Sequence, residues 1–148
     1  MEVKMNRKKL VLVMLLVGFF TVSVFAENVH LAVEMTGVTI NGGSVYVFVF
    51  SNEQDYKKDI SFTSFIVEST NSKLTHELDL PEGEYLISAY QDSNGNGKLD
   101  TGFLGIPKEP VGISNYNGHG TPGGFKKHKV PVNSRMTAIT INLGMIKL

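Results

Sequence analysis

The sequence predicts an all-β fold, an antiparallel Greek-key β-sandwich of about seven strands with one long loop, preceded by an N-terminal signal peptide helix. Three observations carry this. Apolar residues alternate with period two in short runs, Gly, Pro, Asn and Asp cluster between the runs, and no stretch beyond residue 26 shows a helical period. A small barrel is the alternative closure for the same strands.

The first nine residues carry Lys4, Arg7, Lys8 and Lys9 against Glu2, and an apolar run over 10–25 follows at once. This is the pattern of a secretory leader. The ending Val24-Phe25-Ala26 suits signal peptidase, so a mature chain starting near Glu27 is expected, with residues 27–148 as a single β-sandwich domain. An uncleaved anchor is the competing reading, but Thr21 and Ser23 cut the strictly apolar stretch below the roughly 18–20 residues a spanning helix needs. The expected address is therefore periplasmic or extracellular, with no membrane partner after cleavage. The chain has no cysteine, which excludes a lipid-modified anchor, disulfides and thiolate metal sites. A domain of this size buries enough apolar surface to stand without such staples.

The strands follow in order. Val29, Leu31, Val33 and Met35 alternate with His30, Ala32, Glu34 and Thr36, a half-buried strand. Asn41-Gly42-Gly43 supplies a turn. Over 44–50, Val45, Val47 and Val49 fall on one face and Tyr46, Phe48 and Phe50 on the other, so this strand should lie inside a sheet. After a polar stretch, 62–68 and 73–80 alternate again, the second with Leu74, His76, Leu78 and Leu80 in phase. Leu80-Pro81-Glu82-Gly83-Glu84-Tyr85 is a tight turn, since Pro presets one dihedral and Gly admits another. The next strand, 85–91, runs straight into an aspartate-rich loop. From 92 to about 124 no period is sustained, and a loop this long usually has a function or is disordered. Strands over 125–132 and 137–143 should close the domain.

The chain holds 14 basic and 14 acidic residues, but the first 26 contain four of the former and one of the latter, leaving 10 against 13, a net −3. With no basic cluster beyond Lys126-Lys127-His128-Lys129, there is no electrostatic case for nucleic acid.

The most informative motif is Asp92-Ser93-Asn94-Gly95-Asn96-Gly97-Lys98-Leu99-Asp100. A helix-loop-helix calcium site takes its oxygens from loop positions one, three, five, seven, nine and twelve, with glycine at six. Here these fall on Asp92, Asn94, Asn96, the carbonyl of Lys98, Asp100 and Phe103, with Gly97 as the glycine. Five of the six positions fit Ca2+, and the closing carboxylate is replaced by an aromatic ring. Glu109, held between Pro107 and Pro110, is the nearest later carboxylate able to serve as an additional ligand. With only two charged ligands such a site is weak, near the ~10⁻⁴ to 10⁻³ M of extracellular modules. The competing reading is plain hairpin chemistry, because Asn and Gly both tolerate positive φ. It explains the glycines but not the two bracketing aspartates.

Other candidates are thin. His30, His76, His119 and His128 are too far apart in sequence to form a paired ligand motif. No nucleophile elbow or reactive thiol is present, and Ser114 has neither context. If the protein is an enzyme, the expected form is a small envelope hydrolase or isomerase with its site in the 102–124 loop and Glu109 and His119 as acid or base.

The segments Gly83-Glu84-Tyr85, Ala89-Tyr90-Gln91-Asp92-Ser93-Asn94-Gly95-Asn96-Gly97-Lys98-Leu99-Asp100 and Gly105-Ile106-Pro107-Lys108-Glu109-Pro110-Val111-Gly112-Ile113-Ser114-Asn115 together resemble a family of exported bacterial proteins, the domain of unknown function DUF2141. The resemblance spans the mature chain and implies a secreted or periplasmic protein with no established activity. The family pattern commonly has histidine just before the first loop aspartate, where this chain has Gln91, so a ligand or base role there does not carry over. Family members also tend toward acidic residues after the Phe125 position, whereas Lys126-Lys127 follow here. The turn at Pro81 is similar to those of transthyretin-like and carboxypeptidase regulatory-like sandwiches, an analogy of fold that carries no function. The function expected from all this is a calcium-stabilised binding or structural module of the cell envelope, with an envelope protein or a glycan as partner.

Overall fold

The computed structural model describes residues 28–147, so the expected leader lies outside the described residues. The chain forms two sheets over one core. In chain order the elements are β1 (Asn28–Thr36), β2 (Val45–Phe50), α1 (Glu53–Lys57), β3 (Thr63–Val67), β4 (Lys73–Pro81), β5 (Gly83–Gln91), a 3₁₀ turn (Phe103–Gly105), β6 (Val111–Ile113), α2 (Phe125–His128), β7 (Val130–Val132) and β8 (Ala138–Asn142). The first sheet has the order β4-β1-β8, and the second β3-β2-β5-β6 with β7 on the far end of β5. Strands β1 and β4 pair antiparallel over their full length, from Asn28↔Pro81 to Thr36↔Lys73. The strands between them, β2 and β3, belong to the other sheet, which is the Greek-key crossing expected from the sequence. Strand β8 lies parallel to the other edge of β1, with Ala32 opposite Ala138.

The alternating residues meet in the core as their period requires. Leu31, Val33 and Met35 of β1, the three valines of β2, Ile87 of β5 and Ile141 of β8 are buried between the sheets. A second, smaller cluster lies on the outer face of the second sheet, where Phe50, Leu86 and Phe125 pack with Phe48, Tyr56 and Ile113. This explains why β2 is apolar on both faces: α1 and α2 cover part of its outer side. At the β4–β5 turn the Tyr85 hydroxyl donates to the Pro81 carbonyl at 2.9 Å, a tyrosine corner that fixes the switch from one sheet to the other. His76, expected as an ordinary strand histidine, stacks on Phe65 at 3.9 Å and 16° and closes one open side of the sandwich.

The structure differs from the sequence reading in three places. Helix α1 was not expected, because five residues show no apolar period. It is built from capping instead: the Asn52 side chain accepts from the Asp55 N–H at 2.9 Å, and Lys57 pairs with Glu53 one turn earlier at 2.7 Å. Lys57 and Lys126 together hold the Glu53 carboxyl below its ordinary range. The expected strand over 125–132 begins as the helical turn α2 and becomes extended only at Val130. Finally, β6 lies inside the stretch read as a continuous loop, so there are eight strands, with β6 bridging to Gly144 through N–H···O bonds of 2.9 and 3.0 Å.

Candidate functional site

Strand β5 delivers Gln91 and Asp92 to one end of the second sheet. Gln91 is completely buried and uses its whole amide: Nε2 donates to the carbonyls of Thr39 (2.7 Å) and Gly43 (3.1 Å), and Oε1 accepts from the Thr39 N–H (2.9 Å). Gln91 is thus structural here. Asp92 N–H donates to the Ser44 carbonyl at 2.9 Å. Gly43 makes this approach feasible, since it sits at φ +95° and a Cβ on it would lie 1.8 Å from the Asp92 carbonyl oxygen.

The loop that follows is closed by its own side chains. The Asp92 carboxylate is buried and faces inward, accepting from the N–H groups of Gly95 (2.9 Å) and Asn96 (3.2 Å) on Oδ1 and of Gly97 (2.7 Å) on Oδ2. Asn94 and Asn96 accept from the N–H groups two residues on, those of Asn96 and Lys98, and both donate to Asp100 Oδ2, at 2.5 and 2.9 Å. Glu109 is buried and grips both ends, its two oxygens accepting from Ser93 N–H (2.8 Å) and Asp100 N–H (3.0 Å). The structure therefore gathers every residue named from the spacing, Asp92, Asn94, Asn96, Lys98, Asp100 and Glu109, in or against one loop. Backbone N–H dipoles compensate Asp92 and Glu109, and side-chain amides compensate Asp100. Among the described residues no group of three His, Asp or Glu side chains is placed to hold a metal ion. An ion in this loop would have to add carboxamide and backbone oxygens to the one free carboxylate oxygen of Asp100.

Beside the loop lies a cleft of about 580 Å³, a volume ordinary for ligand sites. Sequence reasoning missed it, because its wall is assembled from cross-strand register. Phe48, Phe50 and Tyr90 from the outer face of the sheet, Tyr56 from α1 and Ile113 from β6 form the apolar wall, while Asp59, Ser88 and Lys98 supply polar groups. The rings brace one another. Tyr90 lies parallel to Tyr46 with centroids 5.0 Å apart and near-parallel to Phe48 at 6.1 Å, and Phe50 meets Tyr56 edge-on at 5.2 Å. Burial pushes the Tyr56 phenol up, helped by the Asp59 charge, and pushes that of Tyr90 up as well. Both hydroxyls stay protonated at neutral pH and are available as donors.

The residues proposed for acid–base work are placed apart. Glu109 is committed to the two loop amides, whereas His119 is exposed and lines a separate hollow of about 190 Å³ with Asn117, Asn142 and Lys147. The buried histidine is another one. His128 Nε2 accepts from Gly123 N–H at 3.0 Å, which assigns the proton to Nδ1, facing the Asn115 carbonyl at 3.2 Å. Ser114, also buried, donates to the His128 carbonyl at 2.6 Å and accepts from Ile87 N–H at 3.1 Å. Together they fasten the long 114–129 segment to β5. The spacing of Phe125 and His128, one helical turn apart, is the signal that would have found this.

Fold and site together define a Greek-key β-sandwich that holds an aromatic cleft against a hydrogen-bonded aspartate loop. The chain belongs to the family described as "uncharacterized protein conserved in bacteria", DUF2141, whose model matches residues 33–140. Comparison with curated proteins finds no match, and neither does comparison with solved structures.

Proposed function

We propose that the protein is an exported, non-catalytic binding module of the cell envelope that takes a ligand with an apolar face, such as a pyranose ring or an aromatic side chain of an envelope partner, in the cleft beside the Asp92–Asp100 loop. The observation that carries this reading is preorganisation. The aromatic wall is braced ring against ring, and the bordering loop is held by three inward carboxylate bonds and the Glu109 clamp. Such a site loses little freedom on binding. Export is supported by the basic and apolar opening of the chain.

Calcium is the second part of the proposal. Asp100 bonds through Oδ2 alone, leaving Oδ1 for a cation at the loop surface, with the oxygens of Asn94 and Asn96 within the same loop. Ligand-observed NMR with a panel of monosaccharides and aromatic amino-acid amides tests the cleft. Saturation transfer that disappears in Phe48→Ala is the expected result, and no transfer from any probe would remove the reading. Melting in excess chelator and then at millimolar calcium tests the ion. The shift should be absent in Asp100→Ala, and equal melting of the wild type in both conditions would remove calcium.

A further inference from the structure

The shape of the cleft comes from one small residue. On the outer face of the second sheet Ser88 stands opposite Phe48 on one side and Ile113 on the other, with Leu86 and Tyr90 before and after it on the same strand face. A half-buried serine among these large side chains leaves the dip that becomes the cleft floor, and it puts a hydroxyl there. Two charges stand at the rim. Asp59, just past α1, and Lys98, from the aspartate loop, line the same cleft, and both are exposed. Neither enters an ion pair among the described residues, with each other or with any neighbour. The carboxylate of Asp59 is not needed to shape its turn, since its φ of +56° is one that Asn adopts as readily.

The charges further out do not give the cleft a single sign. Asp92, Asp100 and Glu109 are the carboxylates of the bordering loop, and Lys58 and Lys108 are the ammonium groups next to these acids in sequence. With Asp59 and Lys98 they make four carboxylates against three ammonium groups, a near balance. The balance is uneven in space. The Tyr90 phenol is pushed up by burial first, and then by negative groups that include Asp92, Glu109 and Asp59. Asp59 adds to burial at Tyr56 in the same way. The side walled by Tyr56, Tyr90 and Asp59 therefore favours an ammonium group, which the ring faces also attract, and Lys98 is the one ammonium on the lining that a carboxylate could meet. We infer that the cleft takes a small zwitterion with an apolar side group, an apolar α-amino acid or a short peptide, its ammonium at Asp59 and its carboxylate at Lys98. A ligand of one sign would bring like charges together at one end of the cleft, and a neutral one would leave both rim charges unused. The inference rests on the reading of the cleft as a binding site and narrows its ligand.

The test titrates protein expressed from the full chain, purified in the form the cell leaves it, by calorimetry and ligand-observed NMR. The probes are L-phenylalanine, N-acetyl-L-phenylalanine, L-phenylalaninamide, N-acetyl-L-phenylalaninamide and the dipeptide L-alanyl-L-phenylalanine. A zwitterion should bind best. Each masked charge should weaken binding by roughly fivefold, the ammonium more than the carboxylate. Asp59→Asn should erase the penalty for N-acetylation and Lys98→Gln that for amidation, with melting unchanged in both. The tighter of amino acid and dipeptide separates the two sources of the zwitterion. Equal binding of L-phenylalanine and N-acetyl-L-phenylalaninamide would overturn the inference and leave the cleft reading intact. So would a monosaccharide that binds when no amino-acid probe does, or penalties that persist in both variants. No binding of any probe, sugars included, would remove the inference and the cleft reading together.

Discussion

Glu109 offers the sharpest test of how the loop is held. Glu109→Gln preserves shape but replaces one carboxylate oxygen by an amide nitrogen that faces a backbone N–H donor. One of the bonds to Ser93 and Asp100 is lost, the other becomes neutral, and a part-buried N–H is left without an acceptor. Hydrogen bonds to charged groups contribute about 1.5–3 kcal/mol each, so a loss of about 3 kcal/mol follows. For a domain of this size that lowers Tm by roughly 10 °C if the loop unfolds with the rest of the domain. The chain has five tyrosines and no tryptophan, so unfolding is followed by far-ultraviolet circular dichroism with tyrosine emission. Amide hydrogen exchange at Ser93 and Asp100 separates local from global effects. If the loop opens alone, Tm moves less, but protection at these two amides falls by about 100-fold. Wild-type protection at both amides in Glu109→Gln would refute the clamp.

Gly43→Ala places a Cβ 1.8 Å from the Asp92 carbonyl oxygen at a positive φ, and should cost more than about 3 kcal/mol or abolish soluble folding, read from yield and urea unfolding. Tyr85→Phe removes the bond to the Pro81 carbonyl and should cost about 1 kcal/mol, read from the urea midpoint at constant m. The hydrogen bond that His30 donates to the Asp79 carboxylate, with the charges of Asp79 and Glu77, raises the His30 pKa. The contribution of this group to stability is therefore complete below the unfolded histidine value of about 6.5 and disappears as pH rises through the higher folded value. An NMR titration should place His30 above the unfolded value, and His30→Gln should flatten the stability profile across that window. A folded pKa at or below the unfolded one would contradict the pairing.

The strands were legible because period two survives in the one-dimensional string. Val45, Val47 and Val49 point inward whatever lies opposite them, and Tyr46 and Phe48 on the reverse face require a cover, which α1 and α2 partly supply. Strand β6 was not legible. Three residues after Pro110 show no alternation, and the strand exists because Gly112 lacks a Cβ, which would stand 2.7 Å from Ile141 Cγ2. That is a fact about a residue far along the chain. The same distinction runs through the site. The aspartate loop could be read from spacing, as its partners lie within nine positions, and Glu109 was reached only as the nearest carboxylate with a return path. The cleft depends on Tyr46 standing opposite Tyr90 and on β6 closing one side, and no local signal encodes either.

The parallel pairing of β1 with β8 has a consequence for how the chain is made. Ala32 meets Ala138, so among the described residues one edge of the first strand waits for the last, and the closing contact spans most of them. The entropic penalty of so long a closure grows only slowly with length, but contacts of this kind set a slow folding step. Until the final dozen residues are available, β1 can pair with β4 on one side and presents open backbone on the other, a template for wrong partners. The last strand therefore works as a latch. A nonsense mutation that removed it would also take Gly144, which bridges β6, and Ile146 of the cleft wall, and would expose the chain to aggregation and proteolysis. The family match, running from residue 33 to residue 140, starts inside one of these two strands and stops inside the other, so it takes in both sides of the latch.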